Sequence, residues 1–127
     1  STDPYASTSV DTGQHEGVIT DLLHRRVAAF NEHNEPLQLS LFYSQGYSST
    51  LLQQDQELAA RQVKMSNLRS VNILVNGDQA TVTCVVTMNG YSKSAGSNRF
   101  KRDYTLNYQL IRRGNTWKIT QEQHSDL

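Results

Sequence analysis

Residues 71–88 read VNILVNGDQATVTCVVTM, and this stretch decides the fold. Its apolar side chains largely alternate with polar ones, which is the period of a strand with one buried face. Asn76-Gly77-Asp78 interrupts the alternation with residues typical of a tight hairpin turn. The stretch therefore predicts two antiparallel strands. The predicted pairs are Val75 with Ala80 and Ile73 with Val82.

The alternation continues downstream as far as residue 121. A loop rich in glycine and serine occupies 90–98, a third strand follows at 100–110, and the turn at 113–115 leads to a fourth. The predicted pairs are Met88 with Phe100, Cys84 with Tyr104, Ala80 with Tyr108, Leu110 with Ile119 and Tyr108 with Gln121. In this register the mainly apolar faces all point the same way, as a sheet with one buried face requires.

Helical periodicity precedes the strands. Apolar residues from Val18 to Phe30 recur at the spacing of one helix face, and Pro36 is placed to open a short second helix. The predicted helices run from Asp11 or Thr12 to about His33, from Pro36 to residues 44–46, and from Leu51 to Lys64. We expect an α+β architecture with the three helices packed on one face of a curved antiparallel sheet. The predicted common core contains Leu22, Phe30, Val82, Val86, Leu106, Trp117 and Ile119.

The length and composition limit the possible functions. The 127 residues suffice for one domain with its own core, and we expect a tail or linker at 1–12 and a single domain at 13–127. Twelve basic and twelve acidic side chains cancel, which argues against a nucleic-acid partner. No apolar run is long enough for a membrane span. The polar, lysine-poor composition favours an exported over a cytoplasmic domain.

Metal and cofactor chemistry also lack support in the sequence. The single cysteine, Cys84, excludes a cysteine-based zinc site, and the four histidines do not show the spacing of paired ligands. No glycine-rich phosphate loop and no nucleophile elbow is present. We therefore expect no metal, no cofactor and no catalytic triad.

Three motifs resemble those of the NTF2-like superfamily, which includes the SnoaL-like cyclases. They are AAFNEHN at 28–34, Leu39-x-x-Phe42-Tyr43, and Trp117-Lys118-Ile119. The resemblance covers about residues 14–124 and implies a cone of helices against a strongly bent sheet, the cystatin-like fold. It also implies a homodimer through the outer face of the sheet. It does not fix a reaction, because this fold carries isomerases, dehydratases, hydrolases, transport factors and noncatalytic domains.

Six residues are candidates for a ligand site inside the cone. Arg26 lies in the middle of the apolar arc of the first helix, where a charge needs a partner or water. It either reaches the rim or a sheet carbonyl, or meets an anionic ligand in the cavity. The alternation along the strands predicts that four more side chains face inward, and these are Arg102, Tyr104, Tyr108 and Gln121. The alternative is that each of them only fills the core or reaches water at an end of the sheet. Tyr43 is the sixth candidate.

Two functions follow from this reading. Enzymes of the resembling superfamily often carry an acidic base soon after the second helix, but residues 43–49 read YSQGYSS and contain no carboxylate. We therefore expect a noncatalytic NTF2-like domain that binds a small, anionic ligand or a protein partner. The alternative is a SnoaL-like isomerase, cyclase or dehydratase acting on a small organic substrate.

Overall fold

The chain folds into helices followed by one antiparallel sheet. The computed structural model describes residues 4–43, 45–92 and 98–126, with side chains described from 13 to 125 within those ranges. The elements are α1 (Pro4–Glu32), α2 (Glu35–Leu41), α3 (Ser49–Ala60), β1 (Lys64–Asn76), β2 (Gln79–Tyr91), β3 (Arg99–Arg113) and β4 (Thr116–Asp126). The sheet order is β1-β2-β3-β4, so each strand pairs with its neighbour in the chain. The predicted α+β architecture is confirmed.

The core lies between the helices and one face of the sheet. All seven residues predicted to share it belong to one buried cluster. On α1 the buried positions recur at helical spacing, and they are Ile19, Leu22, Leu23, Arg26, Ala29 and Phe30. One charged side chain thus lies among apolar ones, and this observation leads to the candidate site.

The helix boundaries differ from the prediction at three places. The second helix ends at Leu41 and not at residues 44–46, because the backbone is already extended at Phe42 (φ −104, ψ 146). The first helix begins at Pro4 and not at Asp11 or Thr12. The assignment of residues 1–12 to a tail stays a prediction. The third helix ends at Ala60, and Lys64 is the first residue of β1. Two β-bulges in β1, with left-handed backbone at Asn67 (φ 54) and Ser70 (φ 54), break the alternation that would have revealed a strand there.

Helix α2 begins where the sequence places it, within one residue. The Asn34 side chain accepts a hydrogen bond from the amide of Leu37 (3.2 Å), and Pro36 lies in the first turn. Ser48 caps α3 in the same way, accepting from the amide of Leu51 (3.2 Å). These caps satisfy backbone amides in the first turns of α2 and α3 and so fix where the two helices begin.

The first residues of β1 are fixed by α1 and β2. The Asn31 side chain donates to the carbonyl of Met65 and accepts from its amide, both at 2.8 Å, as a neighbouring strand would. Gly90 of β2 passes so close to Val63 that a Cβ there would lie 2.7 Å from the Val63 Cα. Neither contact leaves room for β1 to shift along the sheet.

Two of the three predicted registers need correction. The pairs Val75–Ala80 and Ile73–Val82 are confirmed. Between β2 and β3 the predicted register is wrong by two residues, because Met88 pairs with Arg102 and not with Phe100. Cys84 accordingly pairs with Leu106, and Ala80 with Leu110. A shift of two residues keeps each side chain on its face, so parity cannot detect it.

None of the described helices is long and apolar enough to cross a membrane. Among the residues described, no group of three or more His, Cys, Asp or Glu side chains is arranged to hold a metal ion.

Candidate functional site

Arg26 is the centre of a buried group of charges. Its side chain is fully buried, and its guanidinium contacts two carboxylates from distant parts of the chain. Nε and Nη2 donate to the two oxygens of Glu122 at 3.0 and 2.6 Å. Nη1 and Nη2 donate to the two oxygens of Asp55 at 2.9 and 3.2 Å. Both contacts are bidentate, which is the strongest geometry for an arginine and a carboxylate.

A bulge in β4 brings Glu122 to the inner face. Leu110 pairs with Ile119 as predicted, but Gln109 pairs with Gln121, which leaves Thr120 as an extra residue. The Thr120 hydroxyl donates to the carbonyl of Gln109 (3.0 Å) and so stabilises the bulge. The extra residue reverses the parity beyond it. Tyr108 therefore faces Glu122, and the prediction that it faces Gln121 is wrong.

Two tyrosines complete the group. Tyr47 donates to Oδ2 of Asp55 (2.7 Å), and the buried Tyr108 lies directly opposite Glu122 on the neighbouring strand. The guanidinium carbon of Arg26 also lies 5.6–6.0 Å from the ring centres of Phe30, Phe42 and Tyr47, within cation–π range. We refer to Arg26, Asp55, Glu122, Tyr47 and Tyr108 as the buried charge cluster.

The electrostatics of the cluster hold Glu122 ionised. Burial alone would raise the pKa of Glu122, but the charge of Arg26, the adjacent His124 imidazole and the hydrogen bonds from Arg26 hold that pKa well below its usual range. The Nε2 atom of His124 lies 3.3 Å from Oε2 of Glu122. For Tyr108 and Tyr47, burial and then the nearby carboxylates raise the pKa above the ordinary value of 10.0. Both hydroxyls therefore stay protonated as donors.

A pocket of about 260 Å³ opens beside the cluster, between the end of α1, α2 and α3. We call it the helix pocket. Its lining residues are Ala29, Phe30, His33, Asn34, Glu35, Gln38, Tyr47, Leu52, Asp55, Gln56 and Ala59. Tyr47 and Asp55 belong to both the cluster and the pocket, so the charged interior reaches the pocket wall. All lining residues come from α1, α2, α3 and the segments joining them.

One polar group of the pocket lacks a partner. Gln38 is only 3% exposed, and among the described residues nothing hydrogen-bonds to its Oε1 atom. Such an atom is costly to bury unless a donor reaches it. The apolar walls and the few polar side chains among them make the helix pocket the part of the structure best suited to hold a small molecule.

The structure places only two of the six predicted site residues together. Arg26 and Tyr108 both belong to the buried charge cluster, whereas Tyr104 is half-buried and packs against the core. Gln121 and Arg102 are exposed. Tyr43 is 37% exposed and lies under Arg113, with 5.5 Å between the guanidinium carbon and the ring centre. The prediction that these side chains line one concave space is therefore wrong, and their roles in ligand binding stay predictions.

The sequence reading missed both carboxylates of the cluster. Asp55 lies four residues after Leu51 and three before Leu58, on the apolar side of α3, and this spacing was a usable signal. Glu122 gave no such signal, because regular alternation from Trp117 places it outside. The alternative that Arg26 meets an anionic ligand did not take these two carboxylates into account, and they occupy its guanidinium.

Comparisons with solved structures agree on the fold. The chain is similar to the hexachlorocyclohexane dehydrochlorinase LinA-type3 of Novosphingobium barchaimii, with a TM-score of 0.79, 14% identity, and coverage of 93% of this chain and 90% of that one. It is also similar to an NTF2-like protein with a cystatin-like fold from Novosphingobium aromaticivorans, with a TM-score of 0.71, 16% identity, and coverage of 100% and 92%. An uncharacterised protein with a cystatin-like fold from Caulobacter vibrioides gives a TM-score of 0.73 at 10% identity, covering 88% of this chain and 89% of that one.

No protein-family model and no curated protein matches the sequence. At such low identities the structural likeness defines the fold and leaves the activity open. The helices pack on a four-stranded antiparallel meander, and the similar solved structures match most of this chain and most of their own. The chain therefore has the cystatin-like fold of NTF2-like proteins.

Proposed function

We propose that this chain is a noncatalytic NTF2-like domain that binds a small molecule in the helix pocket. The observation that carries the proposal is the state of Glu122. A general base needs a pKa near the working pH and an open path to the substrate. Glu122 has a fully buried side chain, two bonds from Arg26 and a pKa far below its usual range. It acts as a counter-ion for Arg26 and not as a base.

The helix pocket supplies what a binding site requires. Its apolar wall is formed by Ala29, Phe30, Leu52 and Ala59, and a few polar groups converge on it. Its volume of about 260 Å³ lies just below the roughly 300 Å³ of the smallest drug-sized pockets, so the ligand is a compact molecule. The proposal does not retain the anion expected for Arg26, because the chain's own carboxylates occupy that guanidinium.

The alternative is an enzyme acting on a small organic substrate. One observation favours it: His124 lies 3.3 Å from Glu122, and a carboxylate that orients an imidazole is a common arrangement for a general base. The similarity to proteins that include a hexachlorocyclohexane dehydrochlorinase supports the same idea. Against it, His124 is outside the lining of the helix pocket.

The test of binding is a fragment titration followed by ¹H–¹⁵N NMR. Fragments should shift the amides of Leu52, Gln56 and Ala59. Ala59→Phe fills the pocket and should abolish the shifts. Ala60→Phe, an exposed change one residue further along α3, is the matched control and should leave them intact. Shifts that persist in Ala59→Phe, or that map to the sheet alone, would contradict binding in the helix pocket.

The test of catalysis is chloride release from hexachlorocyclohexane. We expect none above background from the folded wild-type protein. Turnover that disappears in His124→Asn would overturn the noncatalytic proposal and establish the alternative.

A further inference from the structure

His15 joins the first half of α1 to the hairpin of β3 and β4. Its half-buried side chain receives a hydrogen bond at Nδ1 from the indole Nε1 of Trp117 (3.1 Å), and Nη1 of Arg112 lies 3.0 Å from its Nε2. The imidazole and indole rings also meet edge to face, with 5.4 Å between their centres. Trp117 is only 3% exposed, so His15 is one of the side chains that cover it.

Both ring nitrogens of His15 thus face N–H donors. A neutral imidazole has one nitrogen with a free lone pair, so it accepts a hydrogen bond from one of the two donors. A protonated imidazole carries hydrogen on both nitrogens and accepts from neither donor. Protonation therefore removes the accepted hydrogen bond, and it places a second positive charge beside the guanidinium of Arg112.

Among the described side chains, no carboxylate contacts His15 to compensate a proton on it. Asp78, in the turn between β1 and β2, accepts from Nε and Nη2 of Arg112 at 3.0 and 2.8 Å, so it already has a cation. Its side chain is also 68% exposed, and water screens its charge. The contact from β4 is Trp117, which does not titrate. Glu16 follows on α1, but adjacent positions of a helix do not face each other.

We propose that His15 is a pH-sensitive contact between α1 and the β3–β4 hairpin. With a neutral ring it is docked, accepts one hydrogen bond and covers Trp117. With a protonated ring it meets two donors and a cation, and its turn of α1 leaves the hairpin. Imidazole changes its charge between about pH 5 and 8, so the docked state is favoured above this range and is lost as the pH falls through it. This device goes beyond the proposed function and does not depend on ligand binding in the helix pocket.

Trp117 is the only tryptophan of the chain, so its fluorescence reports on this contact directly. Between pH 7.5 and pH 5.5 the emission maximum of the wild type should move to longer wavelength in one step, because the indole gains contact with water. Over the same interval the hydrogen-exchange protection factors of the amides at 15–18 should fall about tenfold, which is the effect of one lost hydrogen bond. Circular dichroism should stay native, because only the docking of this turn is lost.

His15→Gln and His15→Lys hold the contact in its two states. Glutamine keeps one acceptor and takes up no proton in this range, so His15→Gln should show constant emission and constant protection from pH 7.5 to pH 5.5. Lysine offers donors only and stays charged, so His15→Lys should show the released signals already at pH 7.5. His24→Gln, at an exposed position of the same helix, is the matched control and should respond to pH as the wild type does.

Three outcomes would overturn the proposal. If neither the emission nor the protection of the wild type changes between the two pH values, the contact is not sensitive to pH. If the change persists in His15→Gln, another titrating group causes it. If the fluorescence changes while the protection at 15–18 stays constant, His15 takes up a proton without leaving the hairpin, and the proposed release is wrong.

Discussion

Replacement of Arg26 by methionine tests whether the buried charge cluster determines the stability of the fold. The guanidinium makes four hydrogen bonds of 2.6–3.2 Å to carboxylates that are themselves buried. Removing one partner of a buried ion pair costs about 3–5 kcal/mol, because the remaining charge has neither water nor a partner. Here two carboxylates lose their cation at once. We expect Arg26→Met to lower the free energy of unfolding by at least about 3 kcal/mol, out of a total of about 5–15 kcal/mol for a domain.

The pH dependence separates a charge effect from a packing defect. In the wild type the pKa of Glu122 is lowered below its ordinary value of 4.5, so its contribution to stability is complete above that pH and declines as the pH falls toward the folded-state pKa. In Arg26→Met, burial without a counter-charge raises the pKa of the same carboxyl. The penalty is then largest at neutral pH and is relieved as protons bind. The stability difference between the two proteins should shrink by about 1–2 kcal/mol between pH 7 and pH 4.5.

The assay is urea unfolding followed by circular dichroism at both pH values. Arg25→Met, at the exposed neighbouring position, is the matched control and should change stability by less than about 0.5 kcal/mol. The triple variant Arg26→Met/Asp55→Asn/Glu122→Gln removes every charge, so it should recover about 2 kcal/mol or more of the loss at pH 7. A loss below about 1 kcal/mol for Arg26→Met, or a loss that is the same at both pH values, would refute this account of the cluster.

Three further outcomes are expected. Asn31→Leu should lower the free energy of unfolding by about 1–3 kcal/mol, because it removes the side-chain partners of the Met65 amide and carbonyl. An unchanged melting temperature would contradict this role of Asn31. Burial, and then the charge of Glu122, raises the pKa of the Cys84 thiol to about 12. Ellman's reagent at pH 8 should therefore label this thiol only as fast as the protein unfolds. Rapid labelling of the folded protein would be inconsistent with that burial. We also predict a homodimer through the outer sheet face, where Val85→Lys should shift sedimentation toward the monomer; a wild-type monomer at roughly tens of micromolar would count against it.

The parts of the fold that could be predicted are those that depend on local pattern. Residues 71–88 combine strand periodicity with Asn76-Gly77-Asp78, and a tight turn of that type fixes the register of its hairpin. The hairpin between β2 and β3 has a longer connection, with the Ser92 amide bonded to the Asn98 carbonyl. Loop composition does not determine where such a hairpin begins, and the error of two residues in its register follows.

The candidate site could be predicted only in part, because it depends on irregular backbone. The bulge at Thr120 depends on one hydroxyl and one carbonyl, and it reverses the direction of every later side chain in β4. Gln121, predicted to face inward, is exposed for this reason, and Glu122 takes its place. Asp55 follows the helical spacing of its neighbours and could have been recognised as the partner of a buried arginine.

A buried arginine is better interpreted as the sign of a buried acid in the same chain than as the sign of an anionic ligand. If a ligand had to balance Arg26, the free protein would contain the unpaired charge and would be less stable by the several kcal/mol estimated above. To restore about 4 kcal/mol by binding, a ligand must be present at roughly a thousand times its dissociation constant. A carboxylate carried by the chain is present whenever the chain folds, so it needs no such concentration. Asp55 and Glu122 balance Arg26 in this way, so the folded protein needs no ligand to neutralise its buried guanidinium.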